Sequence, residues 1–308
     1  MARRIIRPMT SADRSAVAEL ICHSTNAWYT AHARPPIFPS ADAAAVIFDV
    51  YLILDPGHGL LAVDPQTQAI VGSCFVHPRP THLSLGIMNV HPDHCGKGVA
   101  RELLSHITDI ADAARLPTRL VSSALNLDSF SLYTRAGFVP RQAYQDMLIT
   151  VPAEGVRALV DSGHRLRPAV ATDVTHLAAL ELELLGISRQ QDFSYFMNNQ
   201  PAIWQMTVAE NSAGQLDGYM VSCSHPGNPM VGPCAARTQP IASALLGHQL
   251  NLHPGKTMVY LVPVDATELV AFSYSLGARN CEVHFSQCRG PWTAPRGILM
   301  PTFLPESA

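Results

Sequence analysis

The chain has 308 residues, which is enough for two domains with full hydrophobic cores. Its formal net charge is −3 and 15% of its residues are charged, so composition gives no case for a nucleic-acid partner. No apolar segment approaches the length of a membrane span, and the basic start precedes no long apolar region, so we expect a cytoplasmic protein that does not bind a membrane. The seven cysteines and fourteen histidines lack the spacing of metal sites or of a disulfide framework, so we expect no metal.

The first half of the chain alternates apolar strands with amphipathic helices. The predicted strands lie near residues 5–7, 59–64, 68–77, 82–91, 118–122 and 138–150. The predicted helices lie near residues 11–23, 41–54, 97–115 and 127–136. This order predicts an α/β fold of the mixed α+β kind, with a mostly antiparallel sheet flanked by helices.

The second half repeats this order. Ile6-Arg7-Pro8 before Asp13 matches Leu166-Arg167-Pro168 before Asp173, and a helix over 174–185 follows the second copy. Further strands are predicted near 203–210, 216–224, 228–234, 257–263 and 278–287, with helices near 239–251 and 266–276. Internal similarity at this distance indicates two copies of one domain. We predict domains at 1–151 and 164–308, joined by a linker at 152–163.

A glycine-rich turn lies where the strand ending at Val90 meets the helix that follows. The turn is Cys95-Gly96-Lys97-Gly98-Val99-Ala100. Such a turn exposes backbone N–H groups, adds the positive end of a helix dipole and lets a ligand approach closely. Its spacing is neither that of a Walker loop nor Gly-x-Gly-x-x-Gly. The pattern therefore predicts a site for a diphosphate, against the alternative of a turn without a ligand.

A second motif follows downstream. Asn126 precedes a short helix that ends near Tyr133, and Gly137-Phe138 then start the next strand. Together, the turn and this motif resemble the acyl-CoA signature of the GNAT acyltransferases, in which Gln/Arg-x-x-Gly-x-Gly/Ala precedes a later Asn and Leu-Tyr. The resemblance covers residues 1–150 and implies a GNAT fold. Cys95 departs from the family's Gln or Arg, which puts one side-chain contact to CoA in doubt but not the backbone cradle.

The resemblance implies roles for the residues at the matching positions. Pantetheine would pair with the strand at Asn89 and Val90, where the Val90 N–H would polarise the thioester carbonyl. The CoA diphosphate would lie on the turn, and Asn126 would bind pantetheine or cap its helix. The implied acyl-CoA contacts are Asn89, Val90, Cys95, Gly96, Lys97, Gly98, Val99, Ala100 and Asn126. Cys95 is interpreted as a structural cysteine rather than a nucleophile.

The implied chemistry needs an acid and a base. Tyr133 holds the family's tyrosine position and would protonate the departing thiolate; its alternative role is packing at the helix end. The family often places a Glu on the strand before the turn, and this chain has none there. The catalytic base is assigned to His82, with Ser84 and His77 as the other polar side chains available.

The acyl acceptor is expected to bind at the first two helices and their connection, as in many proteins of this fold. That segment mixes aromatic side chains with His and Arg before Pro35-Pro36. The candidate substrate contacts are Trp28, Tyr29 and Arg34, which could instead pack the loop or remain solvated. The segment after Arg289 has neither helix nor strand periodicity and could return to the first copy.

The second copy lacks the glycines of the turn. Arg237-Thr238-Gln239-Pro240 aligns with 95–98, and Pro240 lacks the N–H that a phosphate cradle needs. Ala266 aligns with Asn126, and Ser273 aligns with Tyr133. We interpret 164–308 as a degenerate GNAT-like domain that closes or shapes the substrate side, or that binds a different ligand.

The sequence therefore predicts an acyl-CoA-dependent N-acyltransferase, with acetyl-CoA as the donor and a small-molecule amine as the acceptor. One alternative has the same fold but a different reaction: transfer from a longer acyl-CoA, transfer from a carrier-protein thioester, or decarboxylation of an acyl-CoA. The other is an acyl-CoA sensor without turnover. The sequence indicates neither the acceptor nor the oligomeric state.

Overall fold

The structure is a computed structural model that describes residues 4–157 and 160–307. The ends of the two predicted domains, at 1–3 and 308, lie outside the described residues, as do positions 158 and 159 of the predicted linker. Contacts between Cα atoms divide the chain into two compact units. Unit 1 contains the described part of Met1–Pro78, His82–Thr118 and Phe303–Glu306, and unit 2 contains most of the rest.

Unit 1 contains four strands in sequential order and three helices. The strands are β1 (Ile5–Pro8), β2 (Gly59–Val63), β3 (Ile70–Arg79) and β4 (His82–Val90), ordered β1-β2-β3-β4. The helices are α1 (Arg14–Ala31), α2 (Ala41–Leu54) and α3 (Val99–Ala114). The pairs β1–β2 and β2–β3 are antiparallel. The predicted elements of this region are confirmed, except that α1 continues eight residues beyond the predicted end at 23.

Helix α3 packs on the sheet through one apolar face. Its buried positions recur at helical spacing, and Leu103 and Ile107 are fully buried. A Cβ atom at Gly72 of β3 would lie 2.6 Å from Cγ1 of Val99. Glycine at position 72 thus lets the first turn of α3 approach the sheet, which fixes the position of the turn that precedes the helix.

Unit 2 contains the remaining helices and most of the strands. Its helices are α4 (Leu127–Arg135), α5 (Val174–Leu185), α6 (Gln190–Asn198), α7 (Gln239–Leu250) and α8 (Thr267–Ser275). Its strands are β5 (Thr118–Ser123), β6 (Val139–Thr150), β7 (Arg165–Pro168), β8 (Trp204–Glu210), β9 (Leu216–Cys223), β10 (Met230–Ala236), β11 (Thr257–Pro263), β12 (Arg279–Arg289) and β13 (Ile298–Met300). Two short strands end the chain, β14 (Thr302–Phe303) and β15 (Glu306–Ser307). Helix α6 and strands β13 to β15 were not predicted.

The two sequence repeats exchange strands within unit 2. The strand order is β5-β12-β6-β11-β10-β9-β8-β7, so β12 of the second repeat lies between β5 and β6 of the first. In turn, β6 pairs antiparallel with β11 over seven residue pairs from Thr150–Thr257 to Tyr144–Pro263. The sheet is mixed and mostly antiparallel, as predicted, with a parallel pairing of β10 and β11. The two predicted domains describe repeats in the sequence, and their folding as separate bodies stays a prediction.

Candidate functional site

The glycine turn adopts a conformation that favours glycine at two positions. Gly96 and Gly98 have φ of 71° and 85°, in the left-handed region that side chains with a Cβ rarely adopt. The first helical hydrogen bond of α3 runs from the Glu102 N–H to the Gly98 carbonyl at 3.0 Å. The N–H groups of residues 99–101 precede that bond, so they stand at the positive end of the helix dipole. This is the arrangement that binds phosphate groups.

The space around the turn is open. A Cβ at Gly96 would meet no heavy atom within 4 Å, and one at Gly98 would lie 3.6 Å from Nη2 of Arg101. Cys95 and Lys97 are both exposed. Glycine is thus needed here for its positive φ and not for tight packing against the protein.

Arg4 holds the turn through two hydrogen bonds, which the sequence did not predict. Its Nη1 donates to Oε1 of Glu102 at 2.8 Å, and its Nη2 donates to the Lys97 carbonyl at 2.9 Å. The guanidinium therefore ties the residue before β1 to the turn and to the first turn of α3. The only signal in the sequence is a basic start, which does not by itself identify a partner for Arg4.

Asn89 holds β4 to α1. Its Nδ2 donates to Oγ of Ser24 at 2.8 Å and to Oγ1 of Thr25 at 3.2 Å, and the residue is buried. The side-chain amide nitrogen is thereby bonded within the protein. A contact to pantetheine at this position, and at the half-buried Val90, would be made by the strand backbone, and it stays a prediction.

The candidate bases lie in the interior of unit 1. His82, Ser84 and His77 are all buried, with His82 and His77 fully inaccessible to solvent. Nδ1 of His77 lies 2.6 Å from Oδ2 of Asp55, a buried pair that the sequence did not predict. A Cβ at Gly86 of β4 would lie 2.8 Å from Nε2 of His77, so the imidazole occupies the space of the absent side chain. The assignment of His82 as the base stays a prediction.

The C-terminal segment completes this part of unit 1. The hydroxyl of Tyr51 donates to the Phe303 carbonyl at 3.1 Å and accepts from the Glu306 N–H at 3.1 Å. The ring of Tyr51 lies 4.1 Å, centroid to centroid, from that of His77. Burial and the nearby carboxylates of Glu306 and Asp55 hold the pKa of Tyr51 well above its usual value.

The second motif has the predicted local structure and lies in unit 2. Asn126 caps α4, since its Oδ1 accepts from the Ser129 N–H at 3.0 Å. Tyr133 is 8% exposed and packs 5.8 Å from the ring of Phe138. Gly137, with φ of 88°, ends the helix in the left-handed conformation. Capping by Asn126 is confirmed, and the catalytic role of Tyr133 stays a prediction.

Two of the candidate acceptor residues, Trp28 and Tyr29, lie in the last turns of α1, because the helix extends to Ala31, and Arg34 lies just after it. Trp28 and Tyr29 are half-buried, and the Trp28 ring stacks on His32 at 4.0 Å. Arg34 is half-buried. Asn26 holds the segment between α1 and α2 in place. Its Nδ2 donates to the Phe38 carbonyl at 2.8 Å, and its Oδ1 accepts from the Phe38 N–H at 3.0 Å. The contacts of the candidate residues with an acceptor stay a prediction.

The second repeat uses its equivalent turn for internal contacts. Oε1 of Gln239 accepts from the N–H groups of Glu268 and Leu269 at 2.9 and 3.2 Å, so a residue of the turn caps α8. Ala266, which replaces the capping asparagine, could not do this. The turn thus binds the protein's own helix.

The strand before that turn is also occupied. The resemblance implies that pantetheine pairs with this strand in a copy that binds acyl-CoA. Here β10 pairs in parallel with β11 at Met230–Val259, and β13 pairs antiparallel with β10 from Cys234–Met300 to Ala236–Ile298. The chain thus pairs β10 with its own strands, and the degenerate character of this copy stays a prediction.

Within residues 4–157 and 160–307, no group of three or more His, Cys, Asp or Glu side chains could hold a metal ion. Over the same residues, no helix is both long and apolar enough to cross a bilayer. The seven cysteines are all free thiols.

Comparison with known proteins identifies the same family twice. Two models of the acetyltransferase (GNAT) domain match residues 3–139 and 177–285. None of the curated proteins compared with the chain matches it.

Solved structures show the same fold over nearly the whole chain. A proposed acetyltransferase of Pyrococcus horikoshii shares 16% identity with a TM-score of 0.73, over 97% of this chain and 95% of its own. A GCN5-related N-acetyltransferase of Sphaerobacter thermophilus is 19% identical in sequence, with a TM-score of 0.65. The match covers 96% of this chain and 99% of that protein. A tandem GNAT protein from the clavulanic acid biosynthesis pathway is 16% identical in sequence, with a TM-score of 0.58. The match covers 94% of this chain and 100% of that protein.

Proposed function

The chain belongs to the GNAT superfamily as a tandem, acyl-CoA-dependent N-acyltransferase, and from this premise we propose that its first repeat transfers an acetyl group from acetyl-CoA to a small-molecule amine. The observation that carries the proposal is the turn at 95–100. Two glycines with positive φ precede α3, and the N–H groups of residues 99–101 stand at the positive end of its dipole. The equivalent turn of the second repeat is committed to capping α8.

The proposed reaction is direct attack. The amine nitrogen bonds to the thioester carbonyl carbon, and the carbon–sulfur bond breaks to give an amide and CoA. In the proposal, the Val90 N–H polarises the carbonyl and the Tyr133 hydroxyl gives its proton to the departing thiolate. In the proposal, the proton lost by the amine passes to His82, either directly or through a water. Trp28, Tyr29 and Arg34 line the path of the acceptor, and the free cysteines fit a reducing cytoplasm.

Release of free CoA tests this proposal. The full chain is incubated with acetyl-CoA and a panel of small amines, and the thiol produced is measured against a reaction without amine. We expect an amine-dependent release that Tyr133→Phe lowers by about 10²–10⁴-fold in kcat, with acetyl-CoA affinity nearly unchanged. Ser273→Ala, at the equivalent position of the second repeat, is the matched control.

The same assay separates the alternatives. If thiol is released only from a longer acyl-CoA or from a carrier-protein thioester, the chain is an acyltransferase with a donor other than acetyl-CoA. Tight acetyl-CoA binding without turnover for any donor, and without an effect of Tyr133→Phe, would indicate a sensor and overturn the proposal.

His82 has its own test, the pH dependence of kcat/KM. A histidine base gives an acidic limb in which kcat/KM rises with pH as the ring loses its proton. We expect His82→Gln to lower kcat by about 10²-fold and to remove that limb. If His77→Gln removes the limb and His82→Gln does not, the base assignment is wrong.

A further inference from the structure

Unit 2 contains a cavity beside the second repeat's turn, since Gln239 and Ala266 are among its lining residues. It is open to solvent and has a volume of about 260 Å³. A second cavity, of about 10 Å³, shares four lining residues with it, so the two adjoin each other. The shared residues are Arg141, Gln142, Trp292 and Pro295. The smaller cavity has room for about one water-sized group.

Two guanidinium groups line this space. Arg141 lies 5.1 Å over the ring of Trp292, a cation–π contact that orients the planar group while leaving its edge available. Arg119 lines the smaller cavity and is 6% exposed. Burial lowers the pKa of Arg119, and the neighbouring Cys288 and Tyr144 oppose that shift. Two cations beside one cavity favour an anion in it.

A buried amide oxygen in the same wall requires a hydrogen-bond donor. Gln287 is 1% exposed, and its Nε2 donates to Oγ of Ser122 at 2.7 Å. Its Oε1 is buried and accepts no hydrogen bond from any residue that the structure describes. The side-chain oxygen of Gln142, by contrast, has a partner, since its Oε1 accepts from the Tyr144 hydroxyl at 2.8 Å. A ligand or a water must therefore serve the Gln287 oxygen.

We infer that this cavity binds a small carboxylate that also carries a hydrogen-bond donor, as an amino acid or a hydroxy acid does. The carboxylate lies in the larger cavity and accepts from the guanidinium of Arg141, whose planar fork matches its two oxygens. The donor of the ligand enters the smaller cavity, which has room for one such group, and serves Oε1 of Gln287. Asp265 lines the larger cavity and disfavours a polyanion such as a phosphate ester, while it favours an ammonium group.

Binding to the full chain, measured by calorimetry without any CoA compound, tests the inference independently of the proposed function. The probes are amino acids and hydroxy acids, and the primary carboxamide of each acid serves as its uncharged control. Each is titrated to about 10 mM, well above a millimolar Kd. We expect at least one acid to bind, and its carboxamide to bind about tenfold or more weakly. Arg141→Gln is expected to weaken the acid by a similar factor.

Two variants make the result specific. Arg141 is exposed, so its substitution should leave the fold intact, and Arg279→Gln, an exposed arginine at the start of β12, is the matched control. Gln287→Leu removes the buried acceptor and should weaken acids with a donor more than acids without one. The inference is wrong if no acid binds, if carboxamides bind as tightly as acids, if inorganic phosphate binds more tightly than every acid, or if Arg279→Gln has the effect of Arg141→Gln.

Discussion

The two repeats differ at the turn before α3 and at the equivalent residues of the second repeat, which form the start of α7. In the first repeat, Gly96 and Gly98 form a turn of positive φ, and a Cβ atom at either glycine would meet no heavy atom closer than 3.6 Å. In the second, Pro240 replaces the second glycine and Gln239 reaches across to cap α8. In the second repeat this helix start caps α8, whereas in the first repeat it is the helix start that we propose binds acyl-CoA.

Both repeats retain an arginine–aspartate ion pair next to their first strand, which we call the clamp. Arg7 donates two hydrogen bonds to the carboxylate of Asp13 at 2.9 and 2.7 Å, and Arg167 donates two to Asp173 at 2.7 and 2.9 Å. In each, the carboxylate also accepts a backbone N–H three residues before it. The clamp was visible in the sequence as a repeat because the fold requires it in both copies.

The largest expected effect comes from exchanging glycine and proline between the turns. Gly98→Pro forces φ near −65° at a residue with φ of 85°, and so disrupts the cradle. We expect acetyl-CoA affinity to fall at least about 100-fold by calorimetry. Pro240→Gly should leave that affinity unchanged, because its turn holds no ligand, and should lower stability by about 0.5–1 kcal/mol. Equal effects of the two variants would contradict the comparison.

The clamps should respond alike to loss of charge. Asp13→Asn or Asp173→Asn is expected to lower the free energy of unfolding by about 1–2 kcal/mol at neutral pH, measured by urea denaturation. The Asp13 effect should be the smaller, because the Arg7 side chain is 39% exposed and that of Arg167 is 21% exposed.

The pH dependence of that loss has a definite sign. The hydrogen bonds from Arg7 hold the pKa of Asp13 below its usual 3.8. Burial raises the pKa of Asp173, but the bonds from Arg167 outweigh it and the net shift is downward. The stabilisation is therefore full above about pH 4 and lost as pH falls further. The gap between wild type and each variant should narrow below pH 4, and a gap that widens there would be inconsistent with the clamps.

The smallest expected effect separates a cap from a ligand contact. Asn126 caps α4 and Gln239 caps α8, so alanine at either position should cost about 1 kcal/mol of stability. The thermal midpoints of both variants report this loss. Only Asn126→Ala should also weaken acetyl-CoA. If Gln239→Ala weakens it equally, the second turn takes part in binding.

The sequence predicted the bounds of helices and strands far better than it predicted which strands pair with one another. Helix α2 and strand β11 begin and end at the predicted residues, because local periodicity and caps define them. The insertion of β12 between β5 and β6 was not predictable, since it pairs residues more than 130 positions apart, such as Asp146 and Glu282.

The candidate site shows the same limit. The glycines and the cap at Asn126 were predictable because each depends on its neighbours in the chain. The hydrogen bonds of Arg4 to the turn and of Asp55 to His77 join residues far apart in sequence, and either residue alone carries no distinctive pattern. The tail's return to Tyr51 depends on tertiary packing in the same way.

The number of acetyl-CoA molecules bound per chain tests the central claim most directly. Calorimetric titration of the full chain should give one site, which Gly98→Pro abolishes and Pro240→Gly preserves. Binding at 100 times Kd should stabilise the chain by about 2.7 kcal/mol, which thermal unfolding would register independently. Two sites per chain, or one site that survives Gly98→Pro, would contradict the assignment of acyl-CoA binding to the first repeat.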